Sequence, residues 1–352
     1  MLRRGVTVGV VISNWSLGGA VDYVFPIGSW LPPRSYLVIA ANPPSFRAVY
    51  RVVTAGPYRG RLSAAGEELL LRDQDGEIVN SVAFSLGFPW PTPNDLADES
   101  IGLINSSLDN GQPGAWRSGK ASPGRANAVL MDNAPPFADQ IEHTPQSPRE
   151  WDTIKIRAHV TDADGVAAVN LQLQPVAPGG YVRRTDGQYN DRWSTVPMLA
   201  AGGDWYEAVL PASMRYHRWL IRYRIDVVDK GGRQLRLPYW DDPQPNFALY
   251  IFNGVPAWQG AVKPGDAGWF GQVQTYDFSQ MRPLPVYQLV ANSGDVADAQ
   301  FIPWSNYGSG YMGNDYPWYG TLVYNGVVYD HIRYRARGGE FRYAAGKKSL
   351  EV

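Results

Sequence analysis

The clearest alternating segment of the chain runs Thr153-Ile154-Lys155-Ile156-Arg157-Ala158-His159-Val160. Every second residue is apolar, as in a strand that buries one face against a core. The chain then reaches Asp162-Ala163-Asp164-Gly165 and enters a second apolar run, residues 166–173. Asp forms turns through local side-chain hydrogen bonds, and Gly tolerates positive φ. These residues predict two strands joined by a turn.

The same pattern recurs on both sides of this segment. Further strands are predicted at residues 36–41, 68–72, 77–82, 205–211 and 220–228. Turn residues separate them, including Asp73-Gln74-Asp75-Gly76, which predicts a hairpin. No segment repeats at the helical period for three turns, so the chain is predicted to be all-β. Short strands spaced about ten residues apart are typical of β-sandwiches.

Composition agrees with strands and excludes several kinds of site. The chain has 37 Gly and 28 Pro, and charged residues make up only 18%. With 32 Lys and Arg against 33 Asp and Glu, the basic excess typical of nucleic-acid binding is missing, so nucleic acid is not an expected partner. The absence of cysteine excludes disulfides and thiolate chemistry. No apolar run approaches the ~20 residues of a transmembrane helix.

Breaks in the pattern divide the chain into parts. Paired prolines in residues 131–136 predict a linker. We expect a first sandwich at 1–130, a second at 133–253, an irregular linker at 254–285 and an incomplete β unit at 286–352. Asn325-Gly326 in the last unit is the strongest hairpin signal in the chain. A hairpin and one more strand are not expected to bury a core alone.

The N-terminus superficially resembles a signal peptide, with two arginines followed by an apolar stretch. Because it lacks a small-residue cleavage site, a first strand is the favoured interpretation.

Several ordered segments in residues 15–127 resemble the lamin tail domain, an immunoglobulin-like sandwich of nuclear lamins and many bacterial exported proteins. The matching segments are 14–17, 23–26, 33–39, 66–73, 90–91, 99–101, 116–118 and 123–127. The opening Asn-Glu strand of that family and its Glu-rich strand before the Trp are missing. The resemblance therefore implies tandem immunoglobulin-like β-sandwiches, with a first sandwich that lacks its first strands.

The rest of the chain resembles modules that occur with CotH proteins, which are atypical protein kinases. Residues 206–212, 223–229 and 238–247 are similar to a fibronectin-type sandwich that often precedes a CotH-type domain. Residues 319–347 are similar to the opening of the CotH kinase family. The resemblance implies that the acidic metal-binding and catalytic residues of that family would lie beyond Val352. This implies a non-enzymatic chain without cofactors, from a parent that uses ATP and a divalent metal.

The candidate site residues lie near the C-terminus. The CotH resemblance implies that Lys347 meets nucleotide phosphates, although a solvated lysine in a basic tail is the favoured interpretation. Trp304, Trp318 and Tyr319 belong to a segment rich in aromatics and glycines. Such rings stack on sugars when exposed, but packing in the last unit is the favoured interpretation.

No metal site is predicted. The four histidines are widely spaced, and neither Asp-rich turn has the late Glu of an EF-hand loop, so turn formation accounts for both.

These resemblances together imply non-catalytic interaction or spacer modules of an exported bacterial CotH-family protein, located extracellularly or on the cell surface. The alternative is a carbohydrate-binding or adhesin module on the cell surface. The expected partner is a protein or a cell-surface glycan.

Overall fold

The computed structural model describes residues 8–63, 65–93, 98–261, 273–300, 318–336 and 350–351. Strands far outnumber helices in these ranges, which confirms the prediction of an all-β chain. None of the helices in the described ranges combines the length and apolarity needed to cross a bilayer.

The N-terminal unit, residues 8–130, consists of short strands and one helix. Its elements are β1 (Val10–Val11), β2 (Ser16–Gly19), β3 (Val21–Val24), β4 (Trp30–Leu31), α1 (Pro43–Tyr50), β5 (Arg59–Gly60), β6 (Glu67–Arg72), β7 (Ile78–Phe84), β8 (Glu99–Leu103) and β9 (Trp116–Lys120). Five of them form one sheet in the order β5-β3-β2-β6-β7, while β1 pairs with β4 and β8 pairs with β9. The predicted hairpin around residues 73–76 is confirmed as β6 and β7.

Residues 36–41 do not form the predicted buried strand. They contribute a single bridge, at Ile39, and are otherwise without ladder pairing. Pro43 begins α1, where proline is tolerated in the first turn. Asn42 caps this helix, since its Oδ1 accepts a hydrogen bond from the Ser45 amide at 3.1 Å. A short apolar run between prolines fits a strand or an extended loop equally well, so periodicity alone gave the wrong prediction here.

The middle unit, residues 133–253, consists of two sheets. Its elements are β10 (Phe137–Thr144), β11 (Lys155–Thr161), β12 (Val166–Val176), α2 (Gly187–Asp191), β13 (Ser194–Pro197), β14 (Leu199–Gly202), β15 (Trp205–Val209), β16 (Leu220–Asp229), β17 (Gln234–Leu237) and β18 (Phe247–Tyr250). One sheet has the order β10-β11-β15-β14, and the other has the order β13-β12-β16-β17, with β18 also pairing with β16. The turn at residues 162–165 carries the chain from the first sheet to the second.

One hydrophobic core lies between these two sheets. The inward residues of β11, Ile156, Ala158 and Val160, are at most 1% exposed. Leu171 of β12 and Ile225 of β16 meet them from the opposite sheet and are fully buried. Burying one large aliphatic side chain, such as Ile156 or Leu171, contributes about 1.5–3 kcal/mol, so the alternation seen in the sequence stabilises this unit directly. The two sheets therefore pack face to face.

The C-terminal part comprises the described residues 254–261, 273–300, 318–336 and 350–351. Its elements are β19 (Trp258–Ala261), β20 (Val273–Tyr276), α3 (Phe278–Met281), β21 (Tyr287–Ala291), α4 (Ser293–Gln300), β22 (Trp318–Tyr324), β23 (Val327–Ala336) and β24 (Leu350–Glu351). Residues 254–285 were expected to be irregular, but β19 pairs with β20 there and α3 adds one helical turn. The strands β21-β22-β23-β24 form a sheet in that order, which we call the C-terminal sheet.

The C-terminal sheet packs against the middle unit. Val290 and Val323 of this sheet lie in one buried cluster with Val176, Leu220 and Tyr250 of the middle unit. The sheet was expected to lack a core, because a hairpin with one more strand has too little apolar surface. It shares a core with its neighbour instead, and this contact involves the outer face of the five-stranded sheet.

The N-terminal unit also contacts the middle unit. The rings of Phe88 and Phe247 meet edge to face at 5.2 Å, and the Tyr239 hydroxyl donates a hydrogen bond to the Pro89 carbonyl at 3.1 Å. These contacts bring the segment that follows Pro89 to the edge of a cleft on the middle unit.

Candidate functional site

A cleft of about 900 Å³ lies on the outer face of the five-stranded sheet. Its volume falls within the range of small-molecule sites, roughly 300–1,000 Å³. Strands β12, β16 and β17 form its floor, and α2 and the segment after β17 form its sides. The lining residues are Thr92, Pro93, Gln172, Arg184, Tyr189, Asn190, Trp193, Arg224, Arg236, Trp240, Asp241, Asp242, Pro243 and Pro245.

Arg224, on the floor of the cleft, lies between two aromatic rings. Its guanidinium carbon is 4.0 Å from the ring centroid of Trp193 and 4.9 Å from that of Tyr189. Its Nε donates to the Pro245 carbonyl at 2.8 Å. Burial lowers the pKa of this guanidinium, which nevertheless stays charged because free arginine titrates above 12. The floor therefore carries a cation held by two cation–π contacts.

Arg236 and Trp240 form a second pair of this kind. The guanidinium carbon of Arg236 is 4.1 Å from the Trp240 ring centroid. The same guanidinium binds both oxygens of Asp226, at 2.6 and 3.0 Å. Trp240 is 79% exposed, so most of its indole surface stays open to solvent. Trp240 therefore places a large flat side chain, in contact with Arg236, at the edge of the cleft.

Polar groups complete the wall. The Nη1 of Arg184 donates to the Pro243 carbonyl at 3.1 Å, and the arginine is otherwise exposed. Asp242 accepts a hydrogen bond from the Gln244 amide at 2.8 Å, and burial raises the pKa of its carboxyl. Such side chains suit recognition, since guanidinium groups bind anions, amides bind hydroxyl groups and indoles cover flat apolar faces.

A buried ion pair lies behind the cleft, at the contact with the C-terminal sheet. Arg222 of β16 binds Asp330 of β23 through Nε at 2.7 Å and Nη2 at 3.2 Å. Their side chains are 0% and 4% exposed. The second terminal nitrogen of Arg222 donates to Gln174 and to the Val182 carbonyl, at 2.9 and 2.8 Å. The pair is thus removed from water and its donors are satisfied, as a buried ion pair requires.

The C-terminal sheet and the cleft are connected through further hydrogen bonds. Thr321 donates to Asp330 at 2.6 Å, and the Asn246 amide donates to the same carboxylate at 3.0 Å. The Oδ1 of Asn246 accepts from the Tyr189 hydroxyl at 2.6 Å and lies 2.9 Å from Nε2 of His331. Tyr189 lines the cleft, so one continuous network joins its wall to β23.

Burial and the charges in this network shift the pKa values of its titratable groups. Burial alone would raise the pKa of Asp330, but the attraction of Arg222 and His331 holds it far below its ordinary range. Burial lowers the pKa of His331 to about 4, against a smaller opposing effect of Asp330. His331 is therefore neutral at pH 7, and the carboxylate is ionised.

Three carboxylates from two turns meet elsewhere on the middle unit. One oxygen each of Asp162, Asp164 and Asp229 lies within 4.8 Å of the others, a spacing that suits a hard divalent cation. Their hydrogen bonds are those of turns, however. Asp162 accepts from the Asp164 amide at 2.8 Å, and Asp229 accepts from the Arg233 amide at 2.7 Å. We explain the cluster by turn formation, as the sequence predicted for residues 162–165.

The residues singled out from sequence do not form a common site. Lys347 and Trp304 lie outside the described residues. Trp318 is 8% exposed and packs against Tyr334 with ring centroids 6.4 Å apart, so it offers no open face to a sugar. Tyr319 is half-buried beneath Arg333. For Trp318 and Tyr319, packing in the C-terminal sheet is the role that the contacts indicate.

The cleft and its network were missed from sequence. The alternation of side-chain direction along β16 correctly places Arg222, Arg224 and Asp226 on its outer face, away from the core. What covers that face comes from residues 184–193, 240–246 and 318–331, which are distant in sequence. The one available signal was the alternation of the charged residues Arg222, Arg224 and Asp226 with mostly apolar residues in one strand.

Comparisons with known proteins add no identification. The chain matches no protein-family model, and no curated protein matches it.

Proposed function

We propose that this chain is a non-catalytic binding part of an exported bacterial protein, and that the cleft on the middle unit holds a carbohydrate. The observation that carries the proposal is Trp240, which is 79% exposed and whose ring is in cation–π contact with Arg236. Carbohydrate sites use such aromatic faces for stacking, with polar groups around them that bind hydroxyl groups. Gln172, Asn190 and Asp241 supply those groups in the same cleft.

A glycan array with the purified chain tests this proposal. Wild type is expected to bind a defined set of glycans, and Trp240→Ala is expected to lose that binding about tenfold or more, because the stacking surface is removed. Trp151→Ala is the matched control, since Trp151 is also exposed, at 59%, and also has an arginine, Arg149, over its ring at 5.8 Å. It does not line the cleft. An empty array, or equal loss in both variants, would contradict the proposal.

The resemblance to CotH proteins supports a second role, as a spacer that positions a kinase-like domain. A spacer must transmit a fixed orientation, and the buried Arg222–Asp330 pair joins the C-terminal sheet to the middle unit in this way. Under this proposal the chain itself transfers no phosphate. Incubation with labelled ATP and Mg²⁺ or Mn²⁺ is expected to give no labelled protein above a no-enzyme background. Robust transfer would overturn the non-catalytic assignment.

A further inference from the structure

Two arginines of the cleft have only neutral hydrogen-bond partners. Arg184 donates to the Pro243 carbonyl and Arg224 donates to the Pro245 carbonyl. In the ranges that the structure describes, no carboxylate lies within ion-pair distance of either guanidinium, whereas Arg236 is paired with Asp226. The cleft thus presents two positive charges that the protein does not neutralise with a contacting acid.

From this arrangement we infer that the ligand of the cleft is an acidic carbohydrate, one whose sugars carry carboxylate groups. The inference rests on the proposed carbohydrate-binding function and specifies its ligand class. Arg224 is only 8% exposed, and removing a cation from water without a contacting anion is costly. A ligand carboxylate relieves this cost. Guanidinium groups also match the planar carboxylate with two parallel hydrogen bonds.

Overall charge and ligand shape favour an acidic glycan over a nucleic acid, since both ligands carry one negative charge per unit and Asp241 and Asp242 in the cleft repel either of them. The chain has 32 Lys and Arg against 33 Asp and Glu, so it lacks the basic excess typical of nucleic-acid binding. A uronate chain carries its charge on one edge of each ring and leaves an apolar ring face free. That face stacks on the open indole of Trp240, while the carboxylate binds Arg184 and Arg224.

Calorimetry with matched acidic and neutral ligands tests the inference. The probes are oligosaccharides of galacturonate, glucuronate, mannuronate and guluronate, each compared with its methyl ester, which keeps the ring and removes the charge. At least one acid is expected to bind about tenfold or more tightly than its ester, with affinity that falls as salt rises.

Variants assign the charge recognition to the cleft. Arg184→Ala is expected to weaken binding of that acid about tenfold and to change binding of its ester less than about twofold. Arg192→Ala is the control, since Arg192 is exposed on the same segment and does not line the cleft. It is expected to leave both affinities unchanged.

The outcomes separate this inference from the broader proposal. If neutral glycans bind and no uronate binds more tightly than its ester, the acidic ligand is wrong while carbohydrate binding stands. If no glycan of either kind binds, both are wrong. Tighter binding of a thymidine oligonucleotide than of any uronate, lost in Arg184→Ala, would overturn the ligand class in favour of nucleic acid.

Discussion

Arg222 and Asp330 are an ion pair with almost no solvent contact, at exposures of 0% and 4%. Such a pair contributes little net stability, since desolvating two charges offsets their attraction. Removing one partner, in contrast, leaves the other charged and buried. The pair also lies 108 residues apart in sequence, at the contact between the middle unit and the C-terminal sheet. We therefore expect it to specify how these two parts dock.

Substitution of Asp330 tests this role. Asp330→Ala is expected to lower the free energy of unfolding by about 3–5 kcal/mol, because Arg222 stays buried without its counter-charge. Urea unfolding at pH 7 measures the change. Lys155→Ala is the control: it breaks a 2.7 Å pair with Glu207, but the Lys155 side chain is 45% exposed, so its cost is expected to stay below about 1 kcal/mol. Similar costs for the two variants would contradict the role of the buried pair.

His331 makes stability depend on pH. Burial lowers its pKa in the folded protein to about 4, whereas an unfolded histidine titrates near 6.5. Between these values the unfolded chain binds the proton and the folded protein does not. The contribution of His331 is therefore fully present above about pH 6.5 and is lost as the pH falls towards 4.

The variant His331→Asn isolates this contribution. Asparagine tolerates the φ of 58° found at this position and does not titrate. Wild type is expected to lose on the order of 3 kcal/mol more than the variant between pH 7 and pH 4, as measured by urea unfolding across that range. His143 and His217 titrate in both proteins, so the comparison cancels them. Parallel pH profiles for the two proteins would show that His331 is not the group responsible.

At the scale of elements, the hairpin β22–β23 has a turn that its own sequence predicts and a contact with the middle unit that its own sequence does not predict. Asn325 and Gly326 have φ of 50° and 78°, the positive values of a type I′ turn, as the Asn-Gly pair predicts. The tip of this hairpin also touches the middle unit, because a Cβ added to Gly326 would meet Ser147 Oγ. The turn is encoded locally, and its contact depends on a residue far away in sequence.

Two glycine substitutions separate the backbone strain of a positive φ from the steric contact with Ser147. Gly232→Ala is expected to cost about 1 kcal/mol from positive φ alone, since nothing lies within 4 Å of its added Cβ. Gly326→Ala is expected to cost about 1 kcal/mol more, because it also meets Ser147. Adding Ser147→Ala to Gly326→Ala is expected to recover part of that difference. Equal losses in the two glycine variants, by thermal or urea unfolding, would show that the hairpin tip makes no tight contact.

At the scale of the whole molecule, the sequence pattern predicted those features that depend on neighbouring residues alone. The all-β class and the strands of the middle unit follow from apolar alternation, as in Ile156, Ala158 and Val160, which reach the core together. The docked C-terminal sheet did not follow, because its core residues, such as Val290 and Val323, are completed by side chains from another unit. The cleft did not follow either, since Arg224, Trp193 and Trp240 come from three separate segments. The residues on the outer face of a strand do not reveal which distant segment of the chain packs against them.

The cleft and the buried network lie on the same face of the five-stranded sheet and share residues. The outer face of the five-stranded sheet is covered by the C-terminal sheet at one part and is open as the cleft at another. Tyr189 belongs to the wall of the cleft and to the network through Asn246. The wall of the cleft is thereby connected to the C-terminal sheet, which suits the binding and presenting roles that we propose.

The most direct test of the account follows the indole N–H signals by NMR while the protein is titrated with the glycan that binds best on the array. The Trp240 signal is assigned by its loss in Trp240→Phe, and the Trp151 signal is assigned in the same way. If the cleft binds this glycan, the Trp240 signal is expected to show a saturable shift with no change at Trp151. A shift at Trp151 with none at Trp240, or no shift at either, would contradict the account.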